Sequence, residues 1–276
     1  MTRRVLAAAA FTLVTLLLPT GASGVWGGVV DTTHPQVGAM YFDYEGTGVP
    51  RVDGLVCTGS YAGESKNGQN DVFLTAGHCL FGPPASTLYV SFENNASVTD
   101  IHAPIANRIP VQSTHQMPCF GHDLGDLCDL GILLLPKDSV PAGIAPVRLA
   151  PAGFLDTLKG QGRLKFRVVE IVGYGVTPIW EPAGPTQYEF DGKRRSGTSI
   201  ILGLGKAFVR FSQNDGIGTG SGLCFGDSGS PQIDQATQRV ISVTTGGNVQ
   251  CNANNYNYRI DTSKAREFLG QFLNLP

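Results

Sequence analysis

Gly226-Asp227-Ser228-Gly229-Ser230-Pro231 sets a serine hydroxyl among very small residues. Small neighbours leave that hydroxyl open to a substrate. Glycines let the backbone turn tightly and bring its N–H groups close to a reacting atom. A serine alone is a poor nucleophile at neutral pH and needs a base to take its proton. Upstream, Leu74-Thr75-Ala76-Gly77-His78-Cys79 offers one. Between the two, Cys128-Asp129-Leu130-Gly131-Ile132-Leu133 puts an aspartate at the mouth of an apolar run. The order along the chain is His, Asp, Ser.

That order separates several solutions to the same chemistry. α/β-Hydrolases run Ser, Asp/Glu, His, and subtilisins run Asp, His, Ser. The G-x-S-x-G elbow of the hydrolases fails here, because position 230 is Ser. On these three segments the chain resembles the chymotrypsin-like (trypsin-fold) serine peptidases, as a secreted bacterial-type member, over nearly its whole mature length. The resemblance implies Ser228 as nucleophile and His78 as the base that takes its proton and later protonates the leaving amine. It implies that Asp129 holds the imidazole tautomer and stabilises the imidazolium. Gly77 stands where the family most often has alanine, a small change. The oxyanion hole would use the backbone N–H groups of Gly226 and Ser228.

Asp123 and Asp126 compete with Asp129 for the acid's role. Both lie in the loop Gly121-His122-Asp123-Leu124-Gly125-Asp126, where turn chemistry or ion contacts also account for them. Asp129 opens an apolar strand, and the spacing 78…129…228 resembles the family's.

The same resemblance, with short strand-like runs on both sides of a Pro-rich stretch from Pro136 to Pro151, predicts an all-β chain. It is expected to form two six-stranded antiparallel β-barrels with the active site in the cleft between them. Residues 25–150 would form the first barrel, carrying His78 and Asp129. Residues 151–276 would form the second, carrying Ser228 and the substrate pocket. Abundant glycine (36) and scarce helical periodicity fit many short strands joined by turns. One segment differs. Asp261-Thr262-Ser263 offers an N-cap, and Ala265, Phe268, Leu269, Phe272 and Leu273 recur at helical spacing, so a C-terminal α-helix is expected there.

The first residues read as a secretory signal. Met1-Thr2-Arg3-Arg4 is basic, Val5 to Leu18 is mostly apolar, and Pro19 to Gly24 is a small-residue cleavage zone. Fourteen apolar-dominated residues are short for a bilayer core, which takes about 20. The general secretory route is favoured over the faint twin-arginine look of Thr2-Arg3-Arg4. Losing residues 1–24 removes Arg3 and Arg4 and takes the formal charge from −2 to −4, which excludes a basic nucleic-acid footprint. The mature chain is therefore expected to be a secreted monomer that acts on polypeptides, with no membrane or nucleic-acid partner.

Six cysteines in an exported chain suggest disulfides, and six allow 15 connectivities. The resemblance implies Cys57–Cys79 and Cys224–Cys251, which leaves Cys119–Cys128. There is no C-x-x-C and no H-x-x-x-H, so no metal site and no cofactor are expected. Residues Pro178 to Ser196, with Trp180 and the run Lys193-Arg194-Arg195, read as an exposed loop: a solvated insertion, or a segment that contacts substrate or is self-cleaved.

Aligned on the serine motif, Gly222 stands six residues before Ser228, where trypsin-like members carry an aspartate. The pocket walls would be Thr245-Gly246-Gly247 and the region of Asn255, with Gly246-Gly247 in place of the family's Trp-Gly. No carboxylate would then compensate a buried Lys or Arg, which implies cleavage after neutral residues. Val25-Trp26-Gly27-Gly28 resembles the family's mature start, Ile/Val-Val-Gly-Gly. Ala22 and Gly24 suit a signal-peptidase cut before Val25, so export itself would free the Val25 amine to pair with Asp227. Two other functions remain open at this point: a protease-fold binding protein without activity, and an esterase or lipase.

Overall fold

The described chain opens with a two-residue strand, β1 (Val29–Val30), and then alternates short apolar strands with glycine-rich turns. The computed structural model describes residues 25–276 except 83, 96–99, 101, 124, 182–183 and 215–219. The signal segment expected at 1–24 lies outside the described residues.

The first sheet is antiparallel and built from β2 (Val37–Phe42), β3 (Leu55–Glu64), β4 (Asn70–Thr75), β5 (Leu88–Ser91), β6 (Ile109–Pro110), β7 (Ser113–Gln116) and β8 (Gly131–Pro136). Their order is β6-β5-β2-β3-β4-β8-β7. The sheet curls, and its two end strands, β6 and β7, do not pair with each other. β2 and β4 are buried along almost their whole length, because the curl wraps them between two sets of apolar side chains. One set, with Met40, Phe73, Leu88, Val90 and Leu133, fills the interior of this unit. The other, with Val37, Leu74, Leu130 and Ile132, packs against Val172, Tyr174, Val243 and the C-terminal helix.

The second half begins with a short helix, α1 (Phe154–Gly160), followed by β9 (Val168–Gly173), β10 (Thr177–Ile179), β11 (Gln187–Glu189), β12 (Arg195–Leu204), β13 (Phe208–Ser212), β14 (Pro231–Asp234), β15 (Arg239–Gly247) and β16 (Asn254–Arg259). The order β12-β13-β16-β15-β14-β9 closes on itself through a second pairing of β9 with β12, giving a six-stranded antiparallel barrel. β1 adds to the outside of that barrel at β12. The all-β expectation therefore holds, with one barrel closed and the other a curled sheet. The N-terminal strand joins the second unit rather than the first.

The last helix, α2 (Ser263–Leu269), is the predicted one. The Thr262 hydroxyl accepts from the Ala265 N–H at 3.2 Å, and Ala265, Phe268 and Leu269 are buried. α1 follows the Pro-rich stretch, at the start of the unit where only strands and a C-terminal helix were expected. It buries Leu155 and Leu158 against Val25, Val169 and Ile201. Cys57–Cys79 and Cys224–Cys251 form as the resemblance implied, and the remaining pair forms Cys119–Cys128. Among the described residues no helix is long and apolar enough to cross a membrane.

The exposed-loop expectation for 178–196 holds for much of 180–189 but not for the basic run. β10 and β11 make a hairpin, and the basic run dives inward. Arg194 and Arg195 are 2% and 5% exposed. Arg194 Nε meets Asp31 Oδ2 at 2.9 Å, and its Nη1 donates to the carbonyls of Val37 and Phe92. Arg195 Nη1 pairs with Asp191 at 2.8 Å. A guanidinium can be buried when its fork of donors is met this fully.

Candidate active site

His78 sits in a single 3₁₀ turn, Gly77–Leu80, directly after β4. A side chain at Gly77 would press on the Leu130 carbonyl and the Phe120 ring at 3.0 Å, so this turn packs tightly against the start of β8. That packing brings Asp129 to the histidine. Asp129 is 1% exposed and holds His78 twice: Oδ1 accepts the backbone N–H at 2.8 Å, and Oδ2 lies 2.9 Å from Nδ1. The backbone bond fixes the loop and the ring bond fixes the tautomer, leaving Nε2 for chemistry. The competing aspartates are engaged elsewhere. Asp126 accepts from the Tyr258 hydroxyl at 2.8 Å and from Lys264 Nζ at 2.6 Å. Burial raises its carboxyl's pKa, but these bonds more than offset that and hold it below the usual range. Asp123 accepts the Gly125 N–H within its own turn.

Ser228 lies on a loop anchored from the first sheet. Thr58, fully buried in β3, donates its backbone N–H to the Ser228 carbonyl and its hydroxyl to the Gly226 carbonyl, both at 2.8 Å. The same hydroxyl accepts from the Tyr174 N–H at 3.2 Å. Gly229 must be glycine on two counts: its φ is +79°, and a Cβ there would fall 2.1 Å from Thr75 Oγ1 and 2.5 Å from the Thr58 carbonyl. Gly226 also has positive φ, +92°. Around this loop the N–H groups of Asp227, Gly229 and Ser230 all find backbone acceptors. Among the described residues, those of Gly226 and Ser228 donate to none.

His78 and Ser228 line one cleft of about 770 Å³. Ser228 also lines a smaller cavity of about 180 Å³, walled by Leu223, the Cys224–Cys251 disulfide and residues 244–248. Thr245, Gly246, Gly247 and Asn255 all line it, and among the described residues no charged side chain does. Gly222 does not. Its backbone forms a reciprocal pair with Trp26 (3.0 and 3.1 Å), and the place of its missing Cβ lies 2.2 Å from the indole Nε1. Trp26 is 4% exposed, packs on Cys224 and Cys251, and meets Trp180 edge to face at 5.0 Å.

Asp227 is wholly buried beneath the serine loop. Oδ1 accepts from the Gly175 N–H at 2.8 Å and Oδ2 from the Cys224 N–H at 2.9 Å. A Cβ at Gly173 or Gly175 would collide with this carboxylate. Burial pushes its carboxyl up to about 7 despite those two bonds, since no cation among the described residues pairs with it. Val25 is fully buried, packed with Ile201 and Val209 of the second barrel.

Cys57, His78 and Cys79 bring three possible ligand atoms within 4.8 Å of one another. The two sulfurs are bonded to each other and offer no thiolate, so this cluster does not fit a metal.

Sequence reasoning missed Thr58, Thr75, Gly173 and Gly175. A Gly-Tyr-Gly triplet at 173–175 was the visible trace of the last two.

None of the curated proteins matches the chain in sequence. Solved structures do. Neuropsin, a serine protease expressed in the limbic system of mouse brain, superposes with a TM-score of 0.62 at 17% identity, over 90% of this chain and 99% of that one. HL collagenase gives 0.61 at 16% identity, over 90% and 97%. The VesB protease of Vibrio cholerae gives 0.61 at 14%, over 89% of this chain, which spans only 66% of that one. Human heparin binding protein shares the fold too, at 0.59 and 15%, over 91% and 98%. Identities this low speak for the fold alone. The family model described as Trypsin matches residues 31–269, and on that match the chain belongs to the trypsin family of serine-type peptidases.

Proposed function

We propose that the chain is a secreted endopeptidase that hydrolyses peptide bonds through an acyl-enzyme on Ser228. The observation that carries this is the His78–Asp129 pair, held at 2.8 and 2.9 Å, in one cleft with Ser228 and two unengaged N–H donors. Ser228 Oγ attacks the carbonyl carbon as His78 takes its proton. The Gly226 and Ser228 N–H groups receive the negative charge that develops on the carbonyl oxygen, a contribution of about 10²–10³ in rate per donor. The C–N bond then breaks, and His78 returns the proton to the leaving nitrogen. Water repeats the sequence to release the acid.

The residue before the scissile bond enters the 180 Å³ cavity. No charged side chain among the described residues lines it, which supports neutral side chains there, because a lysine or arginine would lie buried without a counter-charge.

Activation follows from Asp227. Once export frees the Val25 amine, that cation pairs with the buried carboxylate and orders the Gly226 and Ser228 donors. An α-amino group has a reference pKa of about 7.7–8.0, and a buried anionic partner raises it. Activity therefore falls when Val25 loses its proton.

A second reading has one support: the fold also belongs to a protein described by heparin binding. Incubating the secreted chain with a denatured protein substrate separates the two. The peptidase reading expects cuts after neutral residues, abolished by Ser228→Ala. Intact substrate under all conditions would favour the binding reading, and cuts only after Lys or Arg would refute the pocket assignment. N-terminal sequencing of the active form should begin at Val25, and any other start would refute the activation route.

A further inference from the structure

We propose that the cleft beside His78 binds the residues that follow the scissile bond and selects aromatic or large aliphatic side chains among them. This rests on the peptidase reading. Two cavities meet at Ser228, and only the larger one contains His78. The base that takes the serine proton must hand it to the leaving nitrogen. The leaving half of the substrate therefore lies on the side of His78, and the acyl half on the other.

The leaving-side walls are apolar. Leu55, Val56, Phe81, Val176, Phe190 and Phe225 line this cleft, Phe225 standing between the two cavities and lining both. Phe81 is 79% exposed and Phe225 52% exposed. Large rings left in water beside a reactive centre mark a surface that gains by being covered. Phe225 is also held in place. Phe225 meets the Tyr188 ring edge to face at 5.2 Å, and the Tyr188 hydroxyl donates to the Val249 carbonyl at 2.6 Å. Trp180 Nε1 donates to the Gln250 carbonyl at 2.8 Å, so the β10–β11 hairpin is bound at two points to the loop behind the disulfide. A wall already ordered loses little side-chain freedom on binding. Among the described residues lining the cleft, Asp53 is the one carboxylate, 2.9 Å from the His102 ring, and there is no lysine or arginine. An acidic residue after the scissile bond would meet this carboxylate and no cation of the cleft.

The test uses the mature enzyme and internally quenched peptides with one fixed acyl half. The first two residues of the leaving half are varied among Phe, Leu, Ala, Lys and Asp. Phe or Leu should exceed Ala in kcat/KM by about tenfold or more, and Asp should fall below Ala. Phe225→Ala and Phe81→Ala should pull the Phe-to-Ala ratio toward one, while Phe225→Tyr and Phe81→Leu should keep most of it. A second measurement bypasses the first bond cleavage. An acyl-enzyme formed from an activated ester should be captured by phenylalanine amide in preference to alanine amide. Equal rates across the series together with equal capture would overturn the proposal while leaving the peptidase reading standing. No acyl-enzyme at all would overturn that reading first.

Discussion

Gly222 and Trp26 make one lock, and breaking it tests how the pocket region is built. A Cβ added at Gly222 would lie 2.2 Å from Trp26 Nε1, 2.6 Å from Cε2 and 2.9 Å from Cζ2. Carbon atoms in good contact stand about 3.5–4.0 Å apart, so the ring must retreat by more than an ångström. It has nowhere to go: the Trp180 ring lies at 5.0 Å, and the Cys224–Cys251 disulfide packs against it. Overpacking of this kind costs about 1–3 kcal/mol, so Gly222→Ala should lower Tm by several degrees, at roughly 2–4 °C per kcal/mol for a chain of this size. Trp26→Val removes the clash and opens a cavity, a loss of about 3–5 kcal/mol by analogy with Trp→Ala. The double variant should then be more stable than the sum of its parts by over about 1 kcal/mol. The assay is urea unfolding in a Ser228→Ala background, which removes self-digestion. Additivity within about 0.5 kcal/mol, the behaviour of independent sites, would refute the lock. Because the same disulfide walls the smaller cavity, Gly222→Ala in the active enzyme should also raise KM for a good substrate.

Three further outcomes follow from the same contacts. Asp129→Asn should lower kcat by orders of magnitude, as loss of the orienting acid does in such triads, whereas Asp126→Asn should leave kcat within a few-fold and lower Tm; the reverse result in steady-state kinetics would move the acid's role to Asp126. Arg194→Ala leaves Asp31 buried without its guanidinium and should cost about 3–5 kcal/mol by chemical denaturation; a loss under 1 kcal/mol would show that His34, 2.8 Å from Asp31, carries the pairing alone. A single alanine placed before Val25 should displace the amine from Asp227. The folded carboxyl would then keep its proton up to about 7, while the unfolded one loses it near 3.8. The folded state binds more protons between those values, so stability should fall as pH rises from about 4 through 7; a flat Tm over that window in the extended chain would contradict it.

The chemistry of the site was legible because each triad residue is framed by its immediate neighbours. Ser228 has its glycines, His78 its Ala-Gly and Cys, and Asp129 the apolar run it opens. What stayed hidden is contact over long stretches of chain. Nothing near Thr58 says that its hydroxyl will hold the Gly226 carbonyl 168 residues later. The run Lys193-Arg194-Arg195 looks solvated by composition, yet Asp31, the nearest anion to Arg194, lies 163 residues upstream. Gly222 was placed in the pocket by counting from Ser228, and counting cannot show that an indole from the N-terminus fills the space beside it. α1 is short and unannounced: its seven residues follow Pro151 and start from a left-handed Gly153, with no polar cap.

The most direct test of the whole account is labelling of the mature protein with a fluorophosphonate, followed by mass-spectrometric mapping of the adduct. An activated serine reacts and an ordinary one does not. One adduct is expected, on Ser228, which His78→Ala abolishes and which a peptide substrate slows by competition. No adduct on Ser228 in a folded chain that begins at Val25, or an adduct indifferent to His78→Ala, would contradict it.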